Sequence, residues 1–265
     1  MDHVTSKDGT PIAFERAGTG PAVILVGGAL DEGSENAPLI PLLAERFTVV
    51  NYARRGRGRS GDTPPYALER EIEDLEALVA EVGGSAHVFG ASSGGSLAME
   101  AAAAGVAIDR VAVYEVPYNI DPDGPHWNLS DVDKVNELLA AGCRGDVVEL
   151  FMRTVGTPEE WIEGAKGSPA WPSLEGIAHT LGYDAACVRD GYPPVASFAR
   201  IAQPALIITG GAHEDQGTLP ADFFDRAAEV VAEAVPNAER LVLEGQGHMV
   251  DAEALHPVLE RFFTG

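Results

Sequence analysis

The stretch "HVFGASSGGSLAMEAAA", residues 87–103, decides the fold. Residues 90–94 read "GASSG", a Gly-x-Ser-x-Gly pattern between an apolar strand and a helix of small residues. Such a strand-turn-helix strains its central residue and exposes the hydroxyl above the sheet. It also places that hydroxyl at a helix N-terminus, where developing negative charge is stabilised. The pattern predicts Ser92 as a nucleophile, in preference to Ser93, which follows it, or Ser96, one turn into the helix.

The sequence around this turn alternates apolar strands with amphipathic helices. An opening hairpin around "PIAFERAG" precedes the alternation, and the pattern of residues 68–83 has apolar side chains at helical spacing. Strands separated by helices predict an α/β protein with a mostly parallel central sheet covered by helices on both faces. The continuous apolar run "AVILVG" is predicted as a strand buried on both faces, and "TVVNYA" as the next strand. Four more buried strands are predicted at "AHVFG", "RVAVYEV", "PALIITG" and "RLVLEG".

One region interrupts this alternation. Residues 117–200 contain helical patterns without a buried strand, which predicts a helical lid inserted into a core domain of residues 1–116 and 201–265. All three tryptophans fall in the insertion. They either pack the lid against the core or line an apolar substrate pocket. The candidate pocket residues are Leu30, Tyr118, Trp127, Trp161 and Trp171.

Composition limits the possible partners and the compartment. The 265 residues carry 18 Lys and Arg against 41 Asp and Glu, a formal net charge of −23. Such a chain repels phosphate backbones and anionic lipid, so neither nucleic acid nor a membrane is an expected partner. The sequence has no recognisable signal peptide and no apolar run long enough to span a bilayer. Cys143 and Cys187 have no metal-type spacing, which favours buried thiols and a cytoplasmic protein.

Together these motifs resemble the α/β-hydrolase family along nearly the whole chain. "GPAVILVGGALDE" is similar to the family's oxyanion loop after the third strand, with Gly27-Gly28 in place of the usual His-Gly. The resemblance implies that the backbone N–H groups of Ala29 and Ser93 form an oxyanion hole. It also implies a small-molecule substrate, no cofactor or metal, and a chain order of nucleophile, acid and histidine.

The stretch "NYARRGRGRSG" is similar to the family's Asp-x-Arg-Gly-x-Gly-x-Ser loop, with Ala53 where an Asp is common. Its four arginines, Arg54, Arg55, Arg57 and Arg59, suggest anion binding at first sight. In so acidic a chain a solvated or salt-bridged loop is the better interpretation. Because Ala53 has no carboxylate, one partner of Arg54 or Arg55 is left unidentified.

The general base is predicted to be His248. It follows the last apolar strand in "LVLEGQGHMVDAEAL" and therefore lies in a loop above the carboxyl edge of the sheet. It also holds the third position in the family's chain order. Five of the other six histidines lie at termini, strand starts or helix surfaces, and the sixth, His213, lies in the loop after "PALIITG".

Two places compete for the acid that orients this histidine. In most of the family it follows the strand "PALIITG", where His213 or Glu214 holds the counted position and Asp215 is offset from it. The other candidate is Glu115, at the carboxyl end of the strand after the nucleophile helix. A carboxylate there is costly without a partner, and adjacent strands lie only about 4.8 Å apart.

A narrower resemblance favours Glu115. A subset of α/β-hydrolases, which includes the fungal zearalenone lactone hydrolase, has a Ser-Ser-Gly elbow and a catalytic Glu shortly before a proline. Residues 92–94 and 115–117 match both features. The predicted acid is therefore Glu115, with Glu214 or Asp215 as alternatives, and His213 is interpreted as a supporting or pocket residue.

The resulting hypothesis is a serine hydrolase that cleaves an ester or lactone of a small, largely apolar molecule through an acyl-enzyme. Ser92, His248 and Glu115 would act as nucleophile, base and orienting acid. Two alternatives stay open with the same residues: a C–C bond hydrolase or cofactor-free oxygenase of this fold, and a non-catalytic homologue that binds a small molecule.

Overall fold

A single mixed sheet forms the centre of the molecule, which the computed structural model describes at residues 1–121, 132–212 and 219–265. Within these residues the sheet has eight strands in the order β1-β2-β4-β3-β5-β6-β7-β8. β2 pairs antiparallel with both β1 and β4, and the other neighbours are parallel. The strands are β1 (Asp2–Thr5), β2 (Pro11–Ala17), β3 (Ala22–Val26), β4 (Thr48–Tyr52), β5 (Ala86–Ala91), β6 (Ile108–Tyr114), β7 (Ala205–Gly210) and β8 (Ala238–Leu243).

Helices cover both faces of this sheet, which confirms the predicted α/β-hydrolase architecture. Alternate residues of β3 enter different apolar clusters: Ile24 packs in the cluster of α2, α3 and α10, and Leu25 in that of α1 and α11. The described helices are α1 (Leu39–Leu43), α2 (Leu68–Glu81), α3 (Ser93–Ala104), α4 (Val132–Ala140), α5 (Arg144–Thr154), α6 (Glu159–Lys166), α7 (Trp171–Ile177), α8 (Leu181–Cys187), α9 (Val195–Phe198), α10 (Phe223–Ala234) and α11 (Ala252–Thr264).

The helices α4 to α9 lie between β6 and β7, in the region where the sequence predicts a lid. Helices α4 to α8 share a separate apolar cluster (the lid cluster) that includes Val147, Trp171 and Leu181, whereas α9 packs in the core. Ala29 and Leu30 of the loop after β3 pack against this cluster. The helical region is therefore attached directly to the loop that the sequence predicts as the oxyanion loop. No helix of the described residues is long and apolar enough to cross a membrane.

The prediction that "RLVLEG" is a buried strand is wrong. β8 is the last strand in the order of the sheet, and its residues are exposed or half-buried. Val242, for example, is 37% exposed. An edge strand is covered by neighbours on fewer sides, so an apolar run there does not have to be buried.

Candidate active site

Ser92 occupies the sharp turn between β5 and α3. Its backbone has φ 51° and ψ −127°, in the positive-φ region that non-glycine residues seldom adopt. Its N–H donates to the carbonyl of Tyr114 at 2.8 Å. The glycines on either side are required, because a Cβ at Gly90 would lie 2.4 Å from the Gly94 carbonyl oxygen. These contacts hold Ser92 in a strained turn at the N-terminus of a helix.

The same turn lies directly against the loop after β3. A Cβ at Gly94 would lie 2.4 Å from the carbonyl oxygen of Gly27. A Cβ at Gly28 would lie 3.2 Å from the Cβ of Ser92. Ala29, the next residue, lines the same cavity as Ser92. The structure therefore places both predicted oxyanion donors, Ala29 and Ser93, in segments that adjoin Ser92.

Glu115 lies at the carboxyl end of β6, with φ 48° and its side chain fully buried. Its N–H donates to the carbonyl of Ile208 at 2.9 Å, and Oε1 accepts a hydrogen bond from the N–H of Gly210 at 2.8 Å. Oε2 lies 2.7 Å from Nδ1 of His248. The carboxylate is thus fixed by the ends of two neighbouring strands and can orient the imidazole.

His248 lies in the loop between β8 and α11, and its position is supported from two sides. The ring of Phe224 stacks on the imidazole with centroids 4.8 Å apart and planes at 13°. The hydroxyl of Tyr114 donates to the carbonyl of the preceding Gly247 at 2.5 Å. When Nδ1 donates its proton to Glu115, Nε2 is the ring nitrogen that can accept one. His248 and Ser92 both line one cavity.

That cavity has a volume of about 330 Å³, within the range of small-molecule sites. Trp161, on α6, is the predicted pocket residue that lines it, and this side chain is 67% exposed. Most of the lining is apolar. The described lining residues are Gly28, Ala29, Glu35, Ser92, Pro117, Phe151, Thr154, Val155, Thr157, Pro158, Trp161, Ala212, Leu219, Pro220, Phe223, Phe224, Gly247, His248 and Met249.

Three predicted pocket residues are absent from that described lining, which corrects the expectation for them. Tyr118 is fully buried in the core, where its ring contacts Phe198 with centroids 5.9 Å apart. Trp171 and Leu30 pack in the lid cluster instead. For Trp171, the helical pattern of α7 did not show which face the side chain would occupy, and Leu30 and Tyr118 lie in loops that have no such pattern. The remaining predicted pocket residue, Trp127, lies outside the described residues.

Three of the four arginines of the loop after β4 are buried in salt bridges, which agrees with the salt-bridged interpretation and not with the solvated one. Arg54 pairs with Glu71 and with Asp184, each at 2.7 Å. Arg57 donates to both carboxylate oxygens of Asp184 at 2.8 Å. Arg55 pairs with Asp74 and Asp8, while Arg59 is exposed. Asp184 of α8 is thus one of the partners that the sequence left unidentified.

Charge pairing controls the ionisation of this buried cluster. Burial alone would raise the pKa of Asp184, but the Arg57 and Arg54 guanidiniums outweigh it and hold the pKa below its ordinary value. Burial would also raise the pKa of Glu71, but its pairing, mainly with Arg54, lowers that pKa below its ordinary value. The two carboxylates and the two guanidiniums therefore stay charged and compensate one another.

This cluster also reaches the candidate catalytic residues. The Ser93 hydroxyl donates to Oδ1 of Asp184 at 2.7 Å. Nη1 of Arg57 donates to the carbonyl oxygen of Gly28 at 2.5 Å. In a trans peptide the N–H points opposite to the carbonyl, so Arg57 fixes the direction of the Ala29 N–H. The arginine loop therefore holds the loop after β3, which the sequence predicts as the oxyanion loop, in one orientation.

Glu35 is a cavity residue that the sequence analysis missed. Its Oε2 accepts the N–H of Gly28 at 2.7 Å. Burial raises the pKa of the Glu35 carboxyl, against the opposing effect of the Gly28 hydrogen bond. Glu35 lies several residues after the Gly27-Gly28 pair, in a loop of mixed polarity. No sequence pattern there distinguished it from the exposed Glu32 nearby.

The alternative acids cannot be placed beside this geometry. Glu214 and Asp215, together with His213, lie outside the described residues. Among the residues that are described, no group of three His, Cys, Asp or Glu side chains could hold a metal ion.

Comparisons with known proteins agree with this architecture. The family model described as "Alpha/beta hydrolase family" matches residues 23–261. An alpha/beta hydrolase from Sphaerobacter thermophilus is 48% identical, with a TM-score of 0.89 over 99% of this chain and 100% of that one. An enol-lactonase from Burkholderia xenovorans is 21% identical, with a TM-score of 0.74 over the full length of both chains, and shows a similar fold.

Other relatives extend the range of similar proteins. The 2-hydroxy-6-oxo-6-phenylhexa-2,4-dienoate hydrolase of a Rhodococcus strain is 20% identical, with a TM-score of 0.70 over 99% of this chain and 97% of that one. "Probable oxidoreductase EphD" of Mycobacterium tuberculosis is 36% identical over 118 residues, which are 42% of this chain and 20% of that protein. The match thus spans a fifth of that curated relative.

Proposed function

The chain belongs to the alpha/beta hydrolase family, and from this premise we propose that it is a serine hydrolase that cleaves a carboxylic ester or lactone. The observation that carries the proposal is the contact between Glu115 and His248 at 2.7 Å, beside a cavity that Ser92 also lines. A strained serine, an oriented imidazole and a buried carboxylate are the three groups that acyl transfer through a serine requires.

In the proposed reaction, Oγ of Ser92 attacks the substrate carbonyl carbon while Nε2 of His248 takes the hydroxyl proton. The N–H groups of Ala29 and Ser93 stabilise the negative oxygen of the tetrahedral intermediate. Collapse of the intermediate breaks the bond to the alcohol, which leaves with the proton from Nε2. Glu115 keeps the imidazole oriented and stabilises its positive form.

The second half of the reaction uses the same groups. Nε2 of His248 takes a proton from a water molecule, and the resulting hydroxide attacks the acyl carbon. The second intermediate releases the carboxylic acid as Ser92 regains its proton. A lactone would follow the same steps, except that the leaving alcohol stays attached to the acyl group until water releases both.

The mostly apolar lining favours a small molecule with apolar groups on either side of the scissile bond. The proposed substrate class is therefore an ester or lactone that fits a cavity of about 330 Å³.

The test compares two serines of the same turn and helix. Ser92→Ala and Ser96→Ala are assayed on p-nitrophenyl butyrate and on a panel of lactones. Ser96 lies buried in α3, one turn from Ser92, and serves as a matched control. We expect Ser92→Ala to abolish turnover and Ser96→Ala to keep it. Turnover that survives in Ser92→Ala, or a folded parent protein that cleaves none of the substrates, would contradict the proposal.

A further inference from the structure

The charge of the cavity lining is one-sided. Among its described residues the ionisable groups are Glu35 and His248, and no Lys or Arg is present. The two segments outside the description, 122–131 ("PDGPHWNLSD") and 213–218 ("HEDQGT"), contain no Lys or Arg in their sequence either. A substrate carboxylate would therefore find no permanent cation in the described lining or from those segments.

Several described cations on the segments around this site are already paired. Arg57, behind the Gly28 peptide, and Arg54 are balanced by Asp184 and Glu71 within the buried cluster. On α5, Arg153 pairs with two glutamates, and Lys166 of α6 does the same. None of these pairs leaves a positive charge to recognise an anionic ligand.

Glu35 and Ser92 approach the same point, Gly28, from two sides. A Cβ built on Gly28 would lie 3.2 Å from the Cβ of Ser92 and 3.3 Å from Oε2 of Glu35, so both groups border the same point. Oε2 accepts the Gly28 N–H, while Oε1 makes no hydrogen bond to the residues that the structure describes. The carboxylate thus borders the cavity with one oxygen available to a ligand.

From this geometry we infer that Glu35 is a specificity-determining residue that restricts the site to uncharged or cationic esters and lactones and rejects substrates that carry a carboxylate. The inference deepens the proposed function and rests on it. Burial raises the pKa of Glu35, so the restriction applies above that pKa, where the group is a carboxylate. A partly buried carboxylate is poorly screened by water, so a second negative charge placed beside it is repelled. The formal net charge of −23 opposes the approach of anions as well.

This restriction separates the chain from one of the proteins with a similar fold. A dienoate, named for the Rhodococcus hydrolase, carries a carboxylate. The cavity described here is lined by both Glu35 and Ser92 and has no arginine or lysine in its described lining. Cleavage of such an anionic substrate is therefore not expected for this chain, although the fold is shared.

The first experiment uses p-nitrophenyl esters of equal acyl length that end in a methyl group, a carboxylate or an ammonium group. The parent is compared with Glu35→Gln, which keeps an acceptor for the Gly28 N–H, and with Glu32→Gln. Glu32 lies exposed in the same loop and supplies the same change in net charge. Thermal unfolding checks that each variant is folded.

We expect the parent to cleave the methyl and ammonium esters with a kcat/KM at least about tenfold above that of the carboxylate ester. Glu35→Gln should reduce this ratio by about tenfold, and Glu32→Gln should leave it unchanged. Equal cleavage of the methyl and carboxylate esters by the parent overturns the inference. A ratio that Glu35→Gln leaves unaltered, or that Glu32→Gln reduces equally, overturns it as well.

A second measurement keeps this inference separable from the proposed reaction. Calorimetry on the parent compares 4-phenylbutyramide with 4-phenylbutyrate, which differ in the terminal charge and cannot be cleaved by the acyl-transfer step at a useful rate. Weaker binding of the carboxylate supports the inference even if no ester is turned over, in which case only the proposed function fails. Equal or tighter binding of the carboxylate, or no binding of either compound, overturns it.

Discussion

Removing the charge of Asp184 should destabilise the folded protein strongly, because this one carboxylate holds three buried donors. Asp184 lies on α8 with a side chain 1% exposed, and it accepts hydrogen bonds from Arg54, Arg57 and the Ser93 hydroxyl. Asp184→Asn keeps the shape but leaves the Arg57 guanidinium with the Gly28 carbonyl and a neutral amide. Arg57 then loses the carboxylate that it pairs with directly, and two guanidiniums share Glu71 as the remaining carboxylate of the described cluster.

The expected loss follows from the burial of the pair. Removing one partner of a buried ion pair costs about 3–5 kcal/mol in the free energy of unfolding. Because Asn can still accept one hydrogen bond, we expect the lower end, about 3 kcal/mol. For a chain of this size that corresponds to a fall of roughly 6–12 °C in the unfolding midpoint.

The free energy of unfolding is measured by urea denaturation at neutral pH, with Glu137→Gln as the control. Glu137 pairs with Lys134 on α4, where both side chains are exposed, so its loss should leave the midpoint almost unchanged. If Asp184→Asn is no less stable than Glu137→Gln, the cluster is effectively solvated and the reasoning is refuted.

The pH dependence has a definite sign. The arginines lower the pKa of Asp184 in the folded protein relative to the unfolded chain. The ionised Asp184 therefore contributes its full stabilisation at a pH above the pKa of the unfolded chain. This stabilisation is lost as the pH falls from that value through the lower pKa of the folded protein. The difference in stability between parent and Asp184→Asn should be constant around neutrality and shrink in the acid range below the unfolded pKa.

Three further outcomes are expected. Glu115→Gln should lower kcat on a chromogenic ester by about 10³-fold or more, whereas Asp215→Asn should change it by less than about threefold. The reverse result would assign the acid to Asp215. Gly94→Ala should reduce activity and stability together, measured by turnover and thermal unfolding, because its Cβ would lie 2.4 Å from a backbone oxygen; full activity would refute the tight turn. Burial raises the pKa of the Cys187 thiol, so iodoacetamide should modify Cys143 first in the folded protein. Mass spectrometry of the peptides measures the labelling, and equal labelling of both thiols would refute the prediction.

The features that the sequence predicted well are local. The Gly-x-Ser-x-Gly turn can be recognised because strand, turn and helix are contiguous, and the structure gives Ser92 the positive φ that such a turn requires. The buried strand β3 is recognisable for the same reason, since a run of five apolar residues needs cover on both faces.

The placement of Glu115 depended on a longer-range argument. Its position at the end of β6 predicted that it would face the histidine loop, and the structure brings it to 2.7 Å from His248. Its role as the acid stays a prediction, as do the roles of Ser92 and His248. The narrower resemblance to lactone hydrolases with a displaced Glu also stays a prediction.

What the sequence did not reveal depends on contacts between distant segments. Arg54 and Asp184 are separated by 130 positions, and only the packing of α8 on the core brings them together. The placement of the tryptophans was also not predictable, because it depends on the rotation of each helix about its axis. Trp161 on α6 lines the cavity, while Trp171 on α7 packs in the lid cluster. Glu35 likewise becomes notable only through its contact with Gly28.

The proposed nucleophile can be tested most directly with a fluorophosphonate, which reacts with a serine activated by a neighbouring base. The folded protein is treated with the probe, digested, and the modified peptide is identified by mass spectrometry. We predict one adduct, on Ser92, which is absent in Ser92→Ala and forms much more slowly in His248→Ala. An unmodified Ser92 in folded protein, or an adduct on another residue that persists in Ser92→Ala, would contradict a serine hydrolase built on this turn.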